Sequence, residues 1–577
     1  MYYICGMYIQ NCTSNKNGKS YTYPLLCKKY RENGKIKTEV VANLSAFPSD
    51  VVLAIRNALR SSDERELMVS LKDITVERSI DYGFVFVLIM LLERLKIKQA
   101  LEVILGDRAK LVSLMIIGKI VTRGSKLCIF NWIQRNQEVA KRLGIDLDAL
   151  KINDLYDVLG DLSYVQSRIE RKWNIYHKEQ CDEVYLYDIT SSYFEGTQNA
   201  LSDYGYNRDG KKGKKQIVIG LITNKNGFPL SIQVFEGNET DHTTVIKQIQ
   251  KIKKEFGAKN IVFVGDRGMR IRYNLEQMEK CDKEGVSYIT GLSTEEIRGL
   301  VKEGTIQLNL FSKDLVEVEE DGQRYVLCTN PVLEKEHSQT RMMLKSKFED
   351  KVCDIKLSYE NRQNKNLKNK ISLEQGNKNK KMVTTFSEKQ LDSYKYRFRK
   401  MAEKYNMLSF YQAAITNQEF TINFDFDKYA QSKQLDGKYV FVTNVSKQAM
   451  TKEAVRNEYK HLQHVEHAFR DMKTFKLDIR PIYHVNEETT RGHVFVTFFA
   501  YAIVREIETK IYPWLKEKNK TQQTQFSIQD IEEELKMIKL NTLNLGNNYQ
   551  ELKITALTNI QKEILALLNI DAANLTL

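Results

Sequence analysis

The chain has 577 residues, which is too long for one hydrophobic core and predicts roughly three or four domains. Its hydrophobic share of 42%, with 30 Tyr and 24 Phe, excludes a largely disordered protein. The formal charge is +14, from 88 basic against 74 acidic residues, which favours a polyanionic partner without identifying one.

The cysteines and the apolar runs indicate which cellular compartment the sequence favours and whether a membrane-spanning helix is expected. The eight cysteines show no C-x-x-C spacing, so neither a zinc ribbon nor a disulfide framework is predicted, and a reducing, cytoplasmic location is favoured. The longest apolar runs, residues 84–92 and 494–504, fall short of the roughly 20 residues that a spanning helix needs. We therefore expect two buried helices and no membrane partner. The first residues carry no recognisable secretory signal.

Two regions precede the centre of the chain. Residues 1–48 alternate β-type runs with Asn/Gly turns such as NKNGKS and ENGK, which predicts a small antiparallel β region. Residues 49–178 show helical spacing with few turn signals, which predicts a helical domain. Such a domain could bind DNA, but no recognition-helix pattern identifies base-contacting residues.

Residues 179–295 change to a mixed pattern. The predicted order is β-β-β-α-β-α-β, and it describes a mixed α/β sheet in which three hairpin-linked strands are followed by crossover strands. The predicted strands are 183–194, 216–224, 229–237, 260–269 and 287–292, and the predicted helices are 241–256 and 270–285.

Two aspartates occupy notable positions in these strands. Asp188 lies within the apolar run VYLYDI, where an ionised carboxylate is costly to bury unless it is paired or bound to a metal. Asp266 follows the fourth strand and precedes Arg-Gly, which also fits an ordinary turn. Taken singly, each could be a structural ion-pair or turn residue. Because the first and fourth strands of such a sheet can lie adjacent, the two carboxylates could also converge on one cation.

A later stretch, residues 459–473, has the pattern of an amphipathic helix. Leu462, Val465, Phe469 and Met472 recur at intervals of 3, 4 and 3, so one face should pack on a core. Glu466 lies at the edge of that face. An ion pair with the residue four positions later, Arg470, is the ordinary interpretation of such a glutamate.

Several stretches together resemble the DDE transposases of bacterial insertion sequences. They are YDIT around Asp188, GYNRDGKKGKKQIVIGLI at 205–222, FEGNETDHTTV at 235–245, VGDRGM around Asp266, and residues 459–473. The resemblance covers roughly residues 180–500. It implies an RNase H-like core with the predicted strand order and a third catalytic acid on a later helix, here Glu466.

One branch of that family carries a Tyr-x2-Arg-x3-Glu-x6-Lys signature. In this chain it maps to Tyr459, Leu462, Glu466 and Lys473, so three of four positions match and leucine replaces the arginine. Lys460 or Arg456 could supply the phosphate contact expected of that arginine.

The distance along the chain implies an insertion. Asp188 and Asp266 are 78 positions apart, whereas Asp266 and Glu466 are 200 apart. Residues 296–447 are predicted as a mainly β insertion, with strands in 303–330 and 419–445 and a helical pair at 340–360 and 388–417. Residues 448–515 would complete the core, with a long buried helix at 491–515. Residues 516–577 are predicted as C-terminal amphipathic helices that mediate subunit contact or ordinary packing.

The resemblance also implies the chemistry. Asp188, Asp266 and Glu466 would hold two Mg²⁺ ions, for which Mn²⁺ could substitute, and would support metal-dependent cleavage and transfer of DNA strands. The expected partners are double-stranded DNA, as inverted-repeat ends and target, and a second copy of the chain in a homodimer. The protein would then act in the bacterial cytoplasm, at the nucleoid when bound to DNA.

Further residues are predicted to contact DNA. Tyr459, Lys473 and Arg470 would lie beside the acids, and a loop between the first two strands carries Lys211, Lys212, Lys214 and Lys215. The lysines could equally form a solvated loop. Residues 361–381, rich in Lys and Asn, would be a DNA-touching tip or disordered. Two other functions remain open: a metal-dependent nuclease without strand transfer, and a DNA-binding derivative that has lost catalysis.

Overall fold

The computed structural model of this chain describes most of its residues. They are 7–16, 18–32, 35–59, 74–180, 183–206, 208–256, 258, 261–267, 286–320, 322–375, 385–474, 476–521, 525–545 and 550–575. The chain divides into two compact units, Met1–Val87 with Glu517–Leu577, and Leu88–Lys516.

The chain begins with a small sheet, as predicted. Its three strands pair antiparallel in the order β1-β2-β3. The elements of this first segment are β1 (Met7–Lys16), β2 (Lys19–Glu32), β3 (Lys35–Asn43), α1 (Ser49–Ala58) and β4 (Thr75–Asp81). The strand β4 corrects the prediction of an all-helical segment from residue 49.

A helical segment follows, as predicted for most of residues 49–178. It consists of α2 (Gly83–Arg94), α3 (Ile97–Leu105), α4 (Ala109–Thr122), α5 (Lys126–Gln134), α6 (Gln137–Leu143) and α7 (Ile152–Tyr176). Both α2 and α4 are apolar on all sides, which explains why nearly every described position in them is buried. Among the buried positions of α4 is one lysine, Lys119.

The RNase H-like mixed sheet is confirmed. Its elements are β5 (Val184–Tyr193), β6 (Gln216–Asn224), β7 (Pro229–Phe235), α8 (Asp241–Phe256), β8 (Ile261–Gly265) and β9 (Val286–Gly291). The strands β5, β6 and β7 pair antiparallel, while β5 pairs parallel with β8 and β8 with β9. The helix predicted at 270–285 lies outside the described residues.

The predicted insertion continues this sheet. Its elements are α9 (Thr294–Glu303), β10 (Leu315–Glu320), β11 (Gln323–Thr329), α10 (Pro331–Glu374), α11 (Glu388–Lys404), β12 (Tyr411–Ile415), β13 (Phe420–Phe424), α12 (Phe426–Lys433) and β14 (Lys438–Thr443). Because β14 pairs antiparallel with β9, the sheet has eight strands in the order β10-β11-β14-β9-β8-β5-β6-β7.

Three expectations about the insertion are corrected. It is not mainly β, because more of its residues lie in helices than in strands, and the 44-residue α10 alone exceeds all its strands. The helix expected over 388–417 ends at Lys404, and the apolar residues that follow it form β12. The segment 361–374 is helical rather than disordered, and residues 376–381 lie outside the described part. The helices α10 and α11 pack with β12 and β13 around a small core of their own.

The last core segment contains α13 (Lys452–Lys460), α14 (Gln463–Lys473) and α15 (Glu487–Thr521). The C-terminal segment contains α16 (Ile528–Lys536), β15 (Lys539–Asn544), β16 (Gln550–Ile554) and α17 (Asn559–Leu567). Short 3-10 turns occur at Gly106–Arg108, Lys178–Gln180, Leu308–Ser312 and Ala572–Leu575. The C-terminal segment is not purely helical, because β15 pairs with β16 and with β4. Within the described ranges, no helix combines the length and apolarity needed to span a membrane.

A buried carboxylate joins α7 to the central sheet. Glu170 is fully buried and accepts hydrogen bonds from Ser231 Oγ at 3.0 Å and from the Ile232 backbone N–H at 3.2 Å. It also forms an ion pair with Lys251 of α8 at 2.6 Å. One side chain thus links α7, β7 and α8, and its charge is compensated by both an ion pair and hydrogen bonds.

We expect Glu170→Met to destabilise the protein by about 3–5 kcal/mol, because it leaves the buried ammonium of Lys251 unpaired. Chemical unfolding followed by circular dichroism measures this loss. The matched control is Lys247→Met on the same helix α8, which breaks an exposed ion pair with Glu239 and should change stability little. Equal losses for the two variants would contradict this role for Glu170.

Candidate active site

Asp188 and Asp266 lie side by side on two neighbouring central strands of the sheet. The strands β5 and β8 are parallel, with Tyr187 opposite Gly265. Asp188 and Asp266 are the next residues along each strand direction, so the carboxylates emerge from neighbouring strands at the same level. The predicted adjacency of these two strands is confirmed.

Glu466 faces the same region from α14. The buried side of that helix, which includes Val465, Phe469 and Met472 as predicted, packs on β5 and β6. Glu466 lies in the first turn, on the exposed side. No ion pair joins it to Arg470 among the described residues, so the i,i+4 interpretation is corrected. Arg470 is exposed to solvent.

The stretch 459–473 is two helices rather than the single one predicted. The helix α13 ends at Lys460 and α14 begins at Gln463, with a tight turn at His461 and Leu462 between them. Leu462, which replaces the arginine of the predicted Tyr-x2-Arg-x3-Glu-x6-Lys signature, is 8% exposed. Because its side chain is buried, Leu462 anchors the turn on the core. As a result, Tyr459 and Glu466, on either side of the turn, line the same cavity.

That cavity has a volume of about 820 Å³ and is lined by all three acids, Asp188, Asp266 and Glu466. It extends away from them towards α10 and β14. Cationic side chains also line it, namely Arg267, Arg341, Lys438 and Lys460. Lys460 was one of the two predicted substitutes for the missing arginine, whereas Arg456 is not among the lining residues. Asp436 also lines the cavity and forms an ion pair with Arg341. A cavity that combines acids with cations in this way can hold a metal-bound phosphate.

The acids influence one another electrostatically. Burial, together with the negative charges of Asp266 and Glu466, raises the pKa of Asp188 to about 7. The Ile189 backbone N–H, which donates to Asp188 Oδ1 at 2.8 Å, and the charge of Arg208 oppose this effect. The protein therefore pays electrostatic free energy to hold these carboxylates together, and a bound cation would reverse that cost.

Tyr459 orients one of the acids. Its hydroxyl donates to Asp266 Oδ1 at 3.3 Å, and the Arg267 backbone N–H donates to the same oxygen at 2.7 Å. The Tyr459 ring packs on Phe441 with centroids 4.3 Å apart. A Cβ at Gly291 would come within 2.7 Å of the Tyr459 hydroxyl, so the glycine makes room for this contact. Burial raises the pKa of Tyr459, which keeps the hydroxyl protonated as a donor.

Lys473, a predicted DNA contact, is engaged within the protein. Its ammonium forms an ion pair with Asp209 at 2.8 Å, and the two side chains are only 10% and 1% exposed. Arg480 also pairs with Asp209. Asp209 thereby ties the β5–β6 loop to the end of α14.

The loop lysines are distributed along the β5–β6 loop and exposed for the most part. Lys214 pairs with Glu195 at 2.5 Å, Lys215 donates to the Thr197 carbonyl at 3.4 Å, and Lys211 lies over the Tyr193 ring at 5.7 Å. Lys212 is exposed as well.

Sequence reasoning overlooked Arg208 in this loop. Its backbone N–H donates to Ser191 Oγ at 2.8 Å, and its charge lowers the pKa of Asp188. The basic run NRDGKKGKK could have indicated Arg208, because this residue is the first cation of the run.

The donor set fits a hard divalent cation. No three His, Cys, Asp or Glu side chains of the described ranges approach closely enough to form a closed metal site. The three carboxylates nevertheless face one cavity, and the pKa of Asp188 is raised by burial and, to a smaller extent, by the charges of Asp266 and Glu466, which a bound cation would offset. Carboxylate oxygens are the ligands that Mg²⁺ prefers.

Comparison with solved structures adds a distant likeness. The chain is similar to the piggyBac transposase in a cryo-EM structure of its synaptic complex with hairpin DNA, at 7% sequence identity and a TM-score of 0.34. The likeness covers 75% of this chain and 70% of that one. At that level it supports no argument about this protein. No curated protein matches the chain.

Family models give a clear result. The model for the transposase DDE domain matches residues 179–503, more than half of the chain, and spans Asp188, Asp266 and Glu466. The model for the N-terminal domain of IS1634 family transposases matches residues 10–67, which include β2, β3 and α1. The protein therefore belongs to the DDE transposases of insertion sequences and is a transposase enzyme.

Proposed function

We propose that this transposase binds the terminal inverted repeats of its own insertion sequence, cleaves DNA there, and joins the ends to target DNA. The observation that carries the proposal is the meeting of Asp188, Asp266 and Glu466 at one cavity, where the burial of Asp188 and the neighbouring negative charges favour a bound cation. The family match supports DNA transposition as the overall process.

The acids are the proposed metal ligands. Asp188 would contribute to both metal positions, and Asp266 and Glu466 would each complete one. When bound, two Mg²⁺ ions, or Mn²⁺ in their place, would supply the Lewis acidity for attack on a phosphodiester and for departure of the leaving oxygen. Tyr459 holds Asp266 in a fixed orientation through its hydroxyl.

The remaining cations of the site are proposed to bind the substrate. Arg208 lies close enough to Asp188 to affect its pKa, and Arg267 and Lys460 line the cavity, so they would attract the phosphates that flank the cleaved bond. Lys460 would take the role that the Tyr-Arg-Glu-Lys branch gives to the arginine replaced by Leu462.

Other proposed contacts lie around the cavity rather than in it. Arg470 is exposed in the last turn of α14, and the loop lysines Lys211, Lys212, Lys214 and Lys215 are proposed to follow the DNA backbone. Lys473 would contact DNA only by sharing its charge between a phosphate and Asp209.

The proposed oligomeric state follows from the number of DNA ends that the enzyme must bind. An insertion sequence has two ends, so the active complex is proposed to be a homodimer that pairs them. Its DNA substrate would bring the protein to the nucleoid of a bacterial cell.

We expect Asp188→Asn, Asp266→Asn and Glu466→Gln each to reduce cleavage of a DNA fragment carrying the element end by at least about 10³-fold, because each removes a metal-binding carboxylate. Gel assays of cleaved products measure this loss, and binding of the same fragment should persist. Glu453→Gln, an exposed acid of α13, serves as the control and should cut normally. Normal cutting by any of the three site variants would remove that residue from the catalytic set.

The same assay separates the alternative function. Wild-type protein incubated with Mg²⁺, cleaved ends and a target plasmid should yield joined products. Cleavage without any joined product would identify a metal-dependent nuclease instead of a complete transposase.

The raised pKa of Asp188 predicts a pH-dependent stability. The folded pKa of about 7 exceeds the ordinary value of 3.8. Between these two pH values the metal-free folded state keeps the Asp188 proton that the unfolded state has lost, so the free energy of unfolding falls as pH rises from about 4 to about 7. Asp188→Asn removes this loss of unfolding free energy, which amounts to at most about 4 kcal/mol at high pH. We expect metal-free Asp188→Asn to melt several degrees above wild type at pH 8 and level with it below pH 4.

Differential scanning fluorimetry with and without Mg²⁺ measures this effect. The ion should raise the melting temperature of wild type at pH 8 and leave that of Asp188→Asn nearly unchanged, because the ligand is lost. Equal stabilisation of both proteins by Mg²⁺ would contradict metal binding at Asp188.

Tyr459→Phe should slow cleavage by about 5–10-fold, the equivalent of one lost hydrogen bond to Asp266. Because the residue acts by positioning Asp266, the variant should also require a higher Mg²⁺ concentration for half-maximal rate. Phe441→Leu, which alters the packing of the Tyr459 ring and leaves its hydroxyl intact, is the comparison variant. An unchanged Mg²⁺ requirement in Tyr459→Phe would refute the positioning role.

A further inference from the structure

A second cavity, of about 530 Å³, lies among α4, α5 and the segment that follows α14. Basic side chains dominate its lining: Lys119, Arg123, Lys126, Arg480, His484 and His493. Asp478 is the one carboxylate among the lining residues that the structure describes. The family match does not assign a role to this cavity, and the acids of the active site do not line it.

Two lysines of this cavity are buried. Lys119 and Lys126 are each 3% exposed. The ammonium of Lys119 donates to the backbone carbonyl of Asp478 at 3.0 Å, and Nζ of Lys126 lies 2.6 Å from Nδ1 of His493. Neither lysine forms an ion pair within the described ranges, and the negative charge of Asp478 only partly offsets the effect of burial on the pKa of Lys119.

The cavity disfavours the protonated, positively charged forms of its own lysines and histidines. Burial lowers the pKa of Lys119 to about 8, and burial together with the charge of Lys119 lowers the pKa of Lys126 well below its usual value. Burial and the two lysines lower the pKa of His484 to about 3, and they lower the pKa of His493 well below its usual value. Buried cations carry such a cost unless an anion neutralises them.

Local backbone geometry adds further positive potential. The helix α5 begins at Lys126 and has no acidic residue in its first turn, and Gly124 and Ser125 at its start line the cavity. The positive end of the α5 dipole thus lies at the cavity together with the lysines.

We propose that this cavity binds a phosphate group. The volume exceeds what one phosphate needs, and the exposed ring of Tyr483 stands at its wall, so the site can admit a phosphate that is part of a larger molecule. The ligand chemistry has two sources, a phosphodiester of the DNA backbone and free inorganic phosphate.

The connection to the active site favours the DNA backbone. Arg480 lines the cavity and pairs with Asp209, which also holds Lys473 at the end of the helix that carries Glu466. A phosphate bound here would be anchored through one ion-pair chain to the catalytic helix. This choice of source rests on the proposed function, whereas phosphate binding itself does not.

The first experiment measures melting temperature at pH 7 in low salt, with inorganic phosphate or with chloride at the same ionic strength. Phosphate should raise the melting temperature of the metal-free wild type by several degrees and should not do so for Lys126→Met or Lys119→Met. Without phosphate, both variants should melt at or above wild type, because a buried charge has been removed. Lys141→Met, at an exposed position of α6, is the control and should respond like wild type.

The second experiment distinguishes the sources by titrating the proteins with a DNA duplex of arbitrary sequence at several salt concentrations. If the ligand is the DNA backbone, Lys126→Met should bind the duplex several-fold more weakly, with a log–log salt slope smaller by about one. Unchanged duplex binding with lost phosphate stabilisation assigns the site to free phosphate.

Phosphate stabilisation of Lys126→Met and Lys119→Met equal to that of wild type overturns the proposal. If Lys126→Met does not fold, Lys119→Met gives the same test, because its ammonium contacts only a backbone oxygen. Asp188→Asn should keep the phosphate response, so a failure of the catalytic assignment and a failure of this site give different results.

Discussion

The burial of Asp188 beside two other carboxylates is the constraint on which this structure depends. Asp188 and Asp266 are brought together because β5 and β8 are adjacent and parallel, and Glu466 is added from a separate helix. The cost appears in the raised pKa of Asp188. Such an arrangement persists because the strand ladders and the packed face of α14 supply far more stabilisation than this burial removes.

The insertion contributes to the site through the sheet. Since β14 pairs with β9, the chain that returns from the insertion enters α13 directly beside the core strands. There Tyr459 packs on Phe441 of β14, above Gly291 of β9, and reaches Asp266. The short turn at Leu462 then starts α14 in the direction that presents Glu466. The long separation along the chain between the second and third acids is thus closed by strand pairing rather than by a flexible connection.

Two cavities of the larger unit differ in their charged residues. One combines the three carboxylates with four cationic side chains, and the other collects lysines and histidines around Lys126. Asp209 stands in the ion-pair chain that runs from Lys473 to Arg480, and its near-complete burial makes the chain rigid. A polyanionic substrate would satisfy both cavities, directly at the cations and through metal ions at the acids.

The sequence by itself determined the strands of the core, the apolar face around Phe469, the three acids that line one cavity, and the family. These features are local, because alternation, helical spacing and short motifs are written in neighbouring residues. Tertiary structure alone decided the pairing of β14 with β9, the pairing of β4 with β15 across more than 450 positions, and the break at His461 and Leu462. It also decided that Lys473 is held by Asp209 and that Lys119 and Lys126 share a buried cavity. Such contacts join residues far apart in the chain, and their free energy depends on packing and burial that no local pattern encodes.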